Sequence, residues 1–365
     1  EAYQQVADSL APDADPALRT LLDQELRDFR LAGVALPEEK KARFRTLAQE
    51  MAALQAKFEQ NLQDASDSWH FLATEAEQVD GIPASVLQRA AADAISADTA
   101  GWRFKLDYPT YHAVMTHAHS RDLRKIFYRA WATRASDQGD NPDWDNSENI
   151  EQIMSLRHEA AGLVGFDNYA EYSLATKMAG SVEEVMQFLT DLAQKSAGTA
   201  KRELDEIQAI ADAPLEAWDT AYFLEKLKQE RFAISDEELK QYFPFAIVKK
   251  GMFDLTEKLY GIAVVEKPDV SCWHDTVRYY EIRDADDNML GSFYTDLFAR
   301  KGKRGGAWMD ECVVRKKLVE NDALPVGYLV CNFPPLDANG VSLLTHNDVV
   351  TLFHEFGHML HHLLT

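Results

Sequence analysis

Apolar residues recur every three or four positions through most of residues 1–260, with charged residues between them. This spacing predicts amphipathic helices, because residues three and four apart share one helix face. The helix that Pro37 starts is the clearest case, since Phe44, Leu47, Met51 and Leu54 fall on one seam. Further helices are predicted at about 120–134, 147–164, 182–212, 218–232 and 246–260. We therefore predict a helical region over residues 1–260.

The pattern changes near Ile262, where short runs of β-branched and aromatic residues alternate with turn residues. These runs predict strands at 262–266, 277–283, 289–298, 306–314 and 326–332. A last helix follows, with Thr345 as its N-cap and Asp348 three residues on. The predicted fold class is mainly α, with a small β-sheet just before this helix, and residues 261–365 form the second predicted region.

The last helix is apolar around nearly its whole circumference, which predicts burial on all sides. Its apolar residues are Val349, Val350, Leu352, Phe353, Phe356, Met359, Leu360, Leu363 and Leu364. This helix reaches the chain end at Thr365, and Glu1 opens directly into a helical pattern. We expect an internal fragment of a larger protein that lacks both ends, or one piece of a nicked chain.

The same helix carries His354-Glu355-Phe356-Gly357-His358, which has the spacing H-E-x-x-H of zinc peptidases. Residues four apart lie one above the other on a helix, so both imidazoles can reach one zinc ion. The glutamate between them is placed to take a proton from the attacking water. The apolar flanks make a chance pattern on a solvated helix the weaker interpretation, because buried histidines need partners.

A catalytic zinc site needs a third protein ligand. In one peptidase subclass a third histidine would fall at position 364, which is Leu364, and a glycine would stand where His361 stands. That subclass is excluded, and the remaining common set is two histidines with a glutamate from a later helix. We expect that glutamate beyond Thr365, so the chain holds about half of an active site.

Three further predictions concern the surroundings of this motif. Gly305, Gly306 and Ala307 lie at the start of the predicted strand 306–314 and are the candidate edge at which a peptide backbone could approach, although a glycine turn before an ordinary strand fits equally well. Gly357 lies inside a helix, which predicts close approach of another segment near the metal. His361 shares the face of His354 and could orient a ligand, but a satisfied core histidine is the preferred interpretation.

Composition narrows the possible partners. The net charge of −22 over 365 residues disfavours nucleic acid and anionic membranes. No apolar run approaches the roughly 18 residues of a membrane span. Cys272, Cys312 and Cys331 lack metal-type spacing and predict buried free thiols in a reducing compartment.

The motif helix and several other blocks resemble the thimet oligopeptidase family of zinc metallopeptidases. The blocks lie at 134–139, 144–147, 174–178, 291–294, 303–310, 331–333 and 351–365. The resemblance implies a mostly helical peptidase with two lobes around a deep channel that admits short peptides, with residues 1–260 in its walls. It also implies that His354 and His358 bind zinc and that Glu355 is the general base. The family's third zinc ligand and its transition-state tyrosine and histidine would lie beyond Thr365.

These observations together predict a zinc endopeptidase of short oligopeptides that is cytoplasmic and monomeric. The missing C-terminal segment could also be present as a separate piece. The chain by itself is expected to have little activity, because a zinc ligand is missing. A peptidyl-dipeptidase of the same family is one alternative. A non-catalytic helical peptide-binding or scaffold fragment is the other, although a scaffold has no physical need for an intact H-E-x-x-H.

Overall fold

The computed structural model describes residues 2–11, 13–317, 322–337 and 339–365, and most of these are helical. The helices are α1 (Ala2–Ser9), α2 (Pro16–Leu31), α3 (Glu38–Ser68), α4 (Ala84–Ser96), α5 (Tyr108–His117), α6 (Arg121–Ala132), α7 (Ser147–Leu163), α8 (Tyr169–Leu174), α9 (Val182–Ala209), α10 (Thr220–Phe232), α11 (Asp236–Lys240), α12 (Phe245–Tyr260) and α13 (His346–Leu364). The strands are β1 (His70–Ala73), β2 (Trp102–Lys105), β3 (Ala263–Glu266), β4 (Arg278–Arg283), β5 (Met289–Phe298), β6 (Trp308–Val313) and β7 (Val326–Phe333). The mainly α fold with a small sheet before the last helix is confirmed.

Local capping signals fix where several helices begin. The side chain of Asp15 accepts a hydrogen bond from the backbone N–H of Ala17, at 2.9 Å, and Pro16 occupies the first turn of α2. Helix α13 begins with a complete capping box, in which Thr345 and Asp348 each accept the other's backbone N–H. These bonds satisfy donors that have no partner within a helix, so the local sequence can set the start of these two helices.

A two-stranded antiparallel sheet lies within the region predicted to be helical. Strands β1 and β2 pair with Phe71 opposite Phe104, and Phe104 packs edge-on against Phe127. Each strand has four residues, which is too short for an alternating pattern to stand out from a helical one. The prediction of helices over 1–260 therefore omits this sheet.

The five-stranded sheet has the order β3-β4-β5-β7-β6, with β5 and β7 parallel and the other pairs antiparallel. Strand β6 is an outer strand, because it pairs only with β7 among the strands of the described chain. Helix α12 packs beside β3, and α13 packs against β5, β6 and β7. A continuous core joins these helices to one face of the sheet. It includes Met252, Tyr280, Phe293, Leu329, Cys331, Leu352, Phe356, Met359 and Leu363.

Helix α13 is buried on one face and exposed on the opposite face. Leu352 and Met359 are fully buried against the sheet, whereas Val350 is 52% exposed and Phe353 is 39% exposed. The expectation of burial on all sides is therefore wrong for the described structure. The reason is geometric, since the sheet contacts only one stripe of a helix and none of the described residues covers the opposite stripe.

The chain divides by its contacts into two compact units, each of which is discontinuous in sequence. One unit comprises residues 1–65 and 133–206, and the other comprises residues 66–132 and 207–365. The five-stranded sheet and α13 both belong to the second unit. The predicted division near residue 260 separates helical from mixed secondary structure and does not coincide with these units, so as a domain boundary it stays a prediction.

Three smaller expectations concern the start of the chain, the state of the cysteines and the lack of a membrane span. Glu1 lies outside the described residues. All three cysteines are free, but only Cys331 is buried, while Cys312 is exposed and Cys272 is half-buried. The expectation of buried thiols is therefore correct for one of the three. Within the described ranges, no helix is both long and apolar enough to cross a membrane.

Candidate active site

Helix α13 is seated on the sheet through a stripe of apolar side chains, and this seating positions the motif. Phe356 and Met359 are buried beside Phe293 and Leu329. The neighbouring positions 354, 355 and 358 fall outside the buried stripe, because each helical residue turns by 100°. His354 and His358 are accordingly exposed, and Glu355 is half-buried.

The two histidines bring one nitrogen each to the same point. Nε2 of His354 lies 3.1 Å from Nε2 of His358, and the ring planes cross at 81° with centroids 4.8 Å apart. This convergence follows from the spacing of four residues on a regular helix. Two imidazoles held in this way can direct the lone pairs of both Nε2 atoms at one metal ion.

The pair fits a zinc ion. Two nitrogen ligands at about 2.0–2.1 Å from a tetrahedral zinc are themselves about 3.3 Å apart, close to the separation found here. Among the described residues, no cluster of three or more His, Cys, Asp or Glu side chains could hold a metal ion. A third ligand from beyond Thr365 therefore stays a prediction.

Glu355 lies close enough to Cys331 of β7 for its charge to act on the thiol. Burial, and secondarily the charge of Glu355, raise the pKa of the Cys331 thiol to about 12. Trp308 pairs with Val330 in the antiparallel ladder, and continuing this register by one residue places Ala307 beside Cys331. Cys331 therefore lies opposite Ala307 in the ladder and within the electrostatic influence of Glu355.

The predicted substrate-binding residues form the approach to β6 rather than part of it. Gly305 and Gly306 lie in the preceding loop, and Ala307 packs, half-buried, on the edge of the core. Gly306 has φ +112°, a conformation that residues with a side chain rarely adopt. The side chain of Asn332 donates to the carbonyl oxygen of Gly306 at 2.7 Å, which fixes the loop on β7.

A lysine with a buried side chain, which the sequence pattern did not single out, also holds this loop. Lys303 Nζ donates to the carbonyl oxygens of Asp296 (2.8 Å), Phe298 (3.0 Å) and Cys331 (2.5 Å). It also forms an ion pair of 2.9 Å with the Asp296 carboxylate. The signals in the sequence are the position of Lys303 at the start of the block 303–310 and its location between Gly302 and Gly305.

The two histidines after the motif have different surroundings. His361 is exposed, so the preferred interpretation of a core histidine is wrong for the described structure, and a role in orienting a ligand stays a prediction. His362 is the buried one. Its Nε2 donates to the carbonyl oxygen of Val326 at 3.2 Å, and its Nδ1 lies 3.6 Å from a carboxylate oxygen of Glu311. His362 thereby ties α13 to β7 and to the outer strand.

The sequence of this region matches a known family. The model of "Peptidase family M3" matches residues 114–365. The chain belongs to peptidase family M3. The predicted resemblance to thimet oligopeptidases is thereby confirmed.

Relatives in family M3 match nearly the whole chain. Oligopeptidase A of Escherichia coli is 44% identical over 356 residues, which cover 96% of this chain and 52% of the relative. The probable cytosolic oligopeptidase A of Arabidopsis thaliana is 37% identical, covering 96% and 52%. The dipeptidyl carboxypeptidase of E. coli is 33% identical, covering 99% and 53%.

The chain spans about half the length of these M3 relatives. A solved structure of PZ peptidase A with inhibitor 2 aligns with 98% of this chain and 48% of that chain, with a TM-score of 0.45 and 15% identity. A structural likeness at that level carries no argument, and the family assignment rests on the sequence matches.

Proposed function

We propose that this chain supplies two zinc ligands and the general base of an endopeptidase that cuts short peptides. The observation that carries the proposal is the convergence of His354 and His358, whose Nε2 atoms lie 3.1 Å apart with Glu355 between them in sequence. His354 and His358 would hold the zinc. When bound, zinc supplies Lewis acidity to the scissile carbonyl and makes water easier to deprotonate.

The chain's own groups account for the proton transfers. The Glu355 carboxylate accepts a proton from the attacking water and then donates it to the nitrogen of the leaving amine. Its half-buried position leaves it within reach of solvent and limits its movement. The Cys331 thiol stays protonated at neutral pH, because burial and the charge of Glu355 raise its pKa to about 12, and so it does not compete as a nucleophile.

The outer strand β6 is the proposed docking edge for the peptide. An extended peptide that pairs with an outer strand gains main-chain hydrogen bonds, which are independent of its side chains. The register places Ala307 beside Cys331, the neighbour of Glu355, so a peptide paired near Ala307 lies close to the general base. The loop at Gly305 and Gly306 has no bulky side chain to obstruct this approach.

Replacing the proposed base separates metal binding from turnover. In the complete protein, Glu355→Gln is expected to keep one zinc per chain and to lower kcat by at least about 100-fold, because general-base catalysis contributes about 10²–10⁴-fold. Elemental analysis and peptide hydrolysis measure the two properties. His354→Gln is the matched variant that should lose zinc and activity together. Substantial turnover by Glu355→Gln would rule out the role of this residue.

A second candidate function is a peptidyl-dipeptidase, which is favoured by the 33% identity to a dipeptidyl carboxypeptidase. Such an enzyme removes dipeptides from a free C-terminus, so it should leave a C-terminally amidated peptide uncut. The endopeptidase should cut the amidated and free peptides at comparable rates. A non-catalytic scaffold would bind no stoichiometric zinc and cut neither peptide.

We also propose that the protein is a cytoplasmic monomer. The support is three free thiols and the name of the relative described as probably cytosolic. The third zinc ligand beyond Thr365, the two lobes around a channel, and the low activity of the chain alone remain parts of the proposal.

A further inference from the structure

The sheet face opposite α13 carries a small cavity that the proposed catalytic role does not use. Its volume is about 320 Å³, and its lining residues are Trp273, Trp308, Asp310, Tyr328 and Val330. Three of these five residues are aromatic and one is acidic. This composition is typical of sites that bind a cation, because the face of an aromatic ring is electronegative.

The strand register shows on which side of the sheet the cavity lies. Trp308 pairs with Val330, and Asp310 pairs with Tyr328, so these four side chains share one face. The neighbouring Gly327 faces α13 instead, since a Cβ built there would lie 2.6 Å from the sulfur of Met359. The cavity therefore lies on the other face of the same two strands.

The aromatic wall is held in place by contacts of its own. The ring centroid of Trp273 lies 5.2 Å from that of Tyr294 and 5.8 Å from that of Tyr328. The indole N–H of Trp273 donates to the Asp296 carboxylate at 3.0 Å. A ligand would therefore meet a largely preformed surface, which lowers the entropic cost of binding.

The charge of the cavity comes from Asp310. Its side chain is exposed and accepts a hydrogen bond from the backbone N–H of Glu311 at 2.9 Å. No cationic side chain of the described residues forms an ion pair with it. The Arg304 guanidinium lies 5.4 Å from the ring centroid of Trp308, so a peptide cation at this ring would displace Arg304 or take the ring's other face.

We propose that this cavity binds the lysine or arginine side chain of a peptide that lies along β6. The inference rests on the proposed function, because it takes the peptide to be an added strand at this edge. Side chains of a strand point alternately to the two faces of its sheet. Every second side chain of the peptide therefore lies on the face of Trp308 and Asp310, while the others lie on the face of α13.

The test uses the complete protein with Glu355→Gln, so that bound peptides are not cut. A fluorescent seven-residue alanine-based peptide carries one lysine, moved one position at a time, and is compared with norleucine at the same position. Fluorescence anisotropy gives each Kd. Lysine is expected to bind roughly five- to thirty-fold more tightly than norleucine at alternate positions only, which is about the sum of an exposed cation–π contact and an exposed ion pair with Asp310.

A second variant locates the preference in the cavity. Asp310→Asn is expected to lower the preference for lysine by about two- to five-fold, because the ion pair is lost and the aromatic rings remain. Asp286→Asn, in the exposed β4–β5 turn, removes one negative charge elsewhere and should leave the preference unchanged. A preference that shows no alternation, or that is unchanged by Asp310→Asn, would overturn the cavity site and leave the proposed function intact. If neither the lysine peptides nor the norleucine peptides bind, docking of a peptide on β6 is wrong, and the inference about the cavity fails with it.

Discussion

The Asp296 carboxylate shows how a single buried group organises the surroundings of the site. It accepts hydrogen bonds from both terminal nitrogens of Arg300, at 2.5 and 2.7 Å, and from the Trp273 indole at 3.0 Å. Burial would raise its pKa, but Arg300, Lys303 and Trp273 outweigh burial and lower the pKa to about 2. The charged form is thus the one that the fold stabilises.

The lowered pKa of Asp296 predicts that the free energy of unfolding falls in acid. Because the folded pKa lies below the ordinary value of about 3.9, the stabilisation is fully present well above pH 4 and is lost as the pH falls from about 4 to 2. Asp296→Asn should cost about 2 kcal/mol at pH 7 and should flatten the loss of stability below pH 4. Urea unfolding across this pH range measures both effects. An Asp296→Asn protein that loses stability with acid as steeply as the parent would contradict the assignment.

Single residues were predictable where their partners are close in sequence. His354 and His358 are four apart on one helix, so the spacing alone predicts that their side chains converge. His362 was missed because its partner is the carbonyl of Val326, which is 36 residues away. No sequence spacing encodes that contact, which exists only after α13 has packed on the sheet.

At the scale of elements, two glycines at or near the contact between α13 and β7 have opposite surroundings. A Cβ at Gly327 of β7 would lie 2.6 Å from the sulfur and 2.8 Å from the terminal methyl of buried Met359. A Cβ at Gly357 would meet no atom of the described residues within 4 Å. The close approach predicted at Gly357 is therefore not made by the described part of the chain, whereas the close approach at Gly327 was not predicted.

Replacing each of the two glycines with alanine should change the stability of the protein in opposite directions. Gly327→Ala is expected to destabilise the protein by about 1–3 kcal/mol, because the core must shift around Met359. Gly357→Ala should stabilise it by about 0.5–1 kcal/mol, because alanine is the better helix former. Chemical denaturation of both variants tests the pair. In the complete protein, loss of stability or of zinc with Gly357→Ala would instead indicate another segment at this position.

The strands themselves were predicted almost to the residue, but their arrangement was not. All five predicted strands between 262 and 332 are present with ends shifted by at most two residues. Turn residues and alternating patterns are local, so they locate strands. The order β3-β4-β5-β7-β6, and with it the outer position of β6, depends on pairings between distant strands.

At the scale of the whole molecule, the net charge of −22 should affect the binding of basic peptides. Such a charge raises the local concentration of cations. Salt screens this attraction, with a Debye length of about 10 Å at 0.1 M and about 3 Å at 1 M. The Kd of the lysine peptide should therefore rise between about 0.1 M and 1 M NaCl more than the Kd of its norleucine counterpart. Anisotropy titrations measure the difference. Equal salt dependence would show that charge does not contribute to peptide binding.

The sequence by itself determined the features that depend on neighbours along the chain. These are most helices, the five strands before α13, the H-E-x-x-H pair and the family. The tertiary structure alone decided the order of the sheet, the exposure of one face of α13, and the cavity between Trp273 and Asp310. The physical reason is that helix spacing and turn chemistry act within a few residues, whereas packing joins residues that the chain separates by tens of positions.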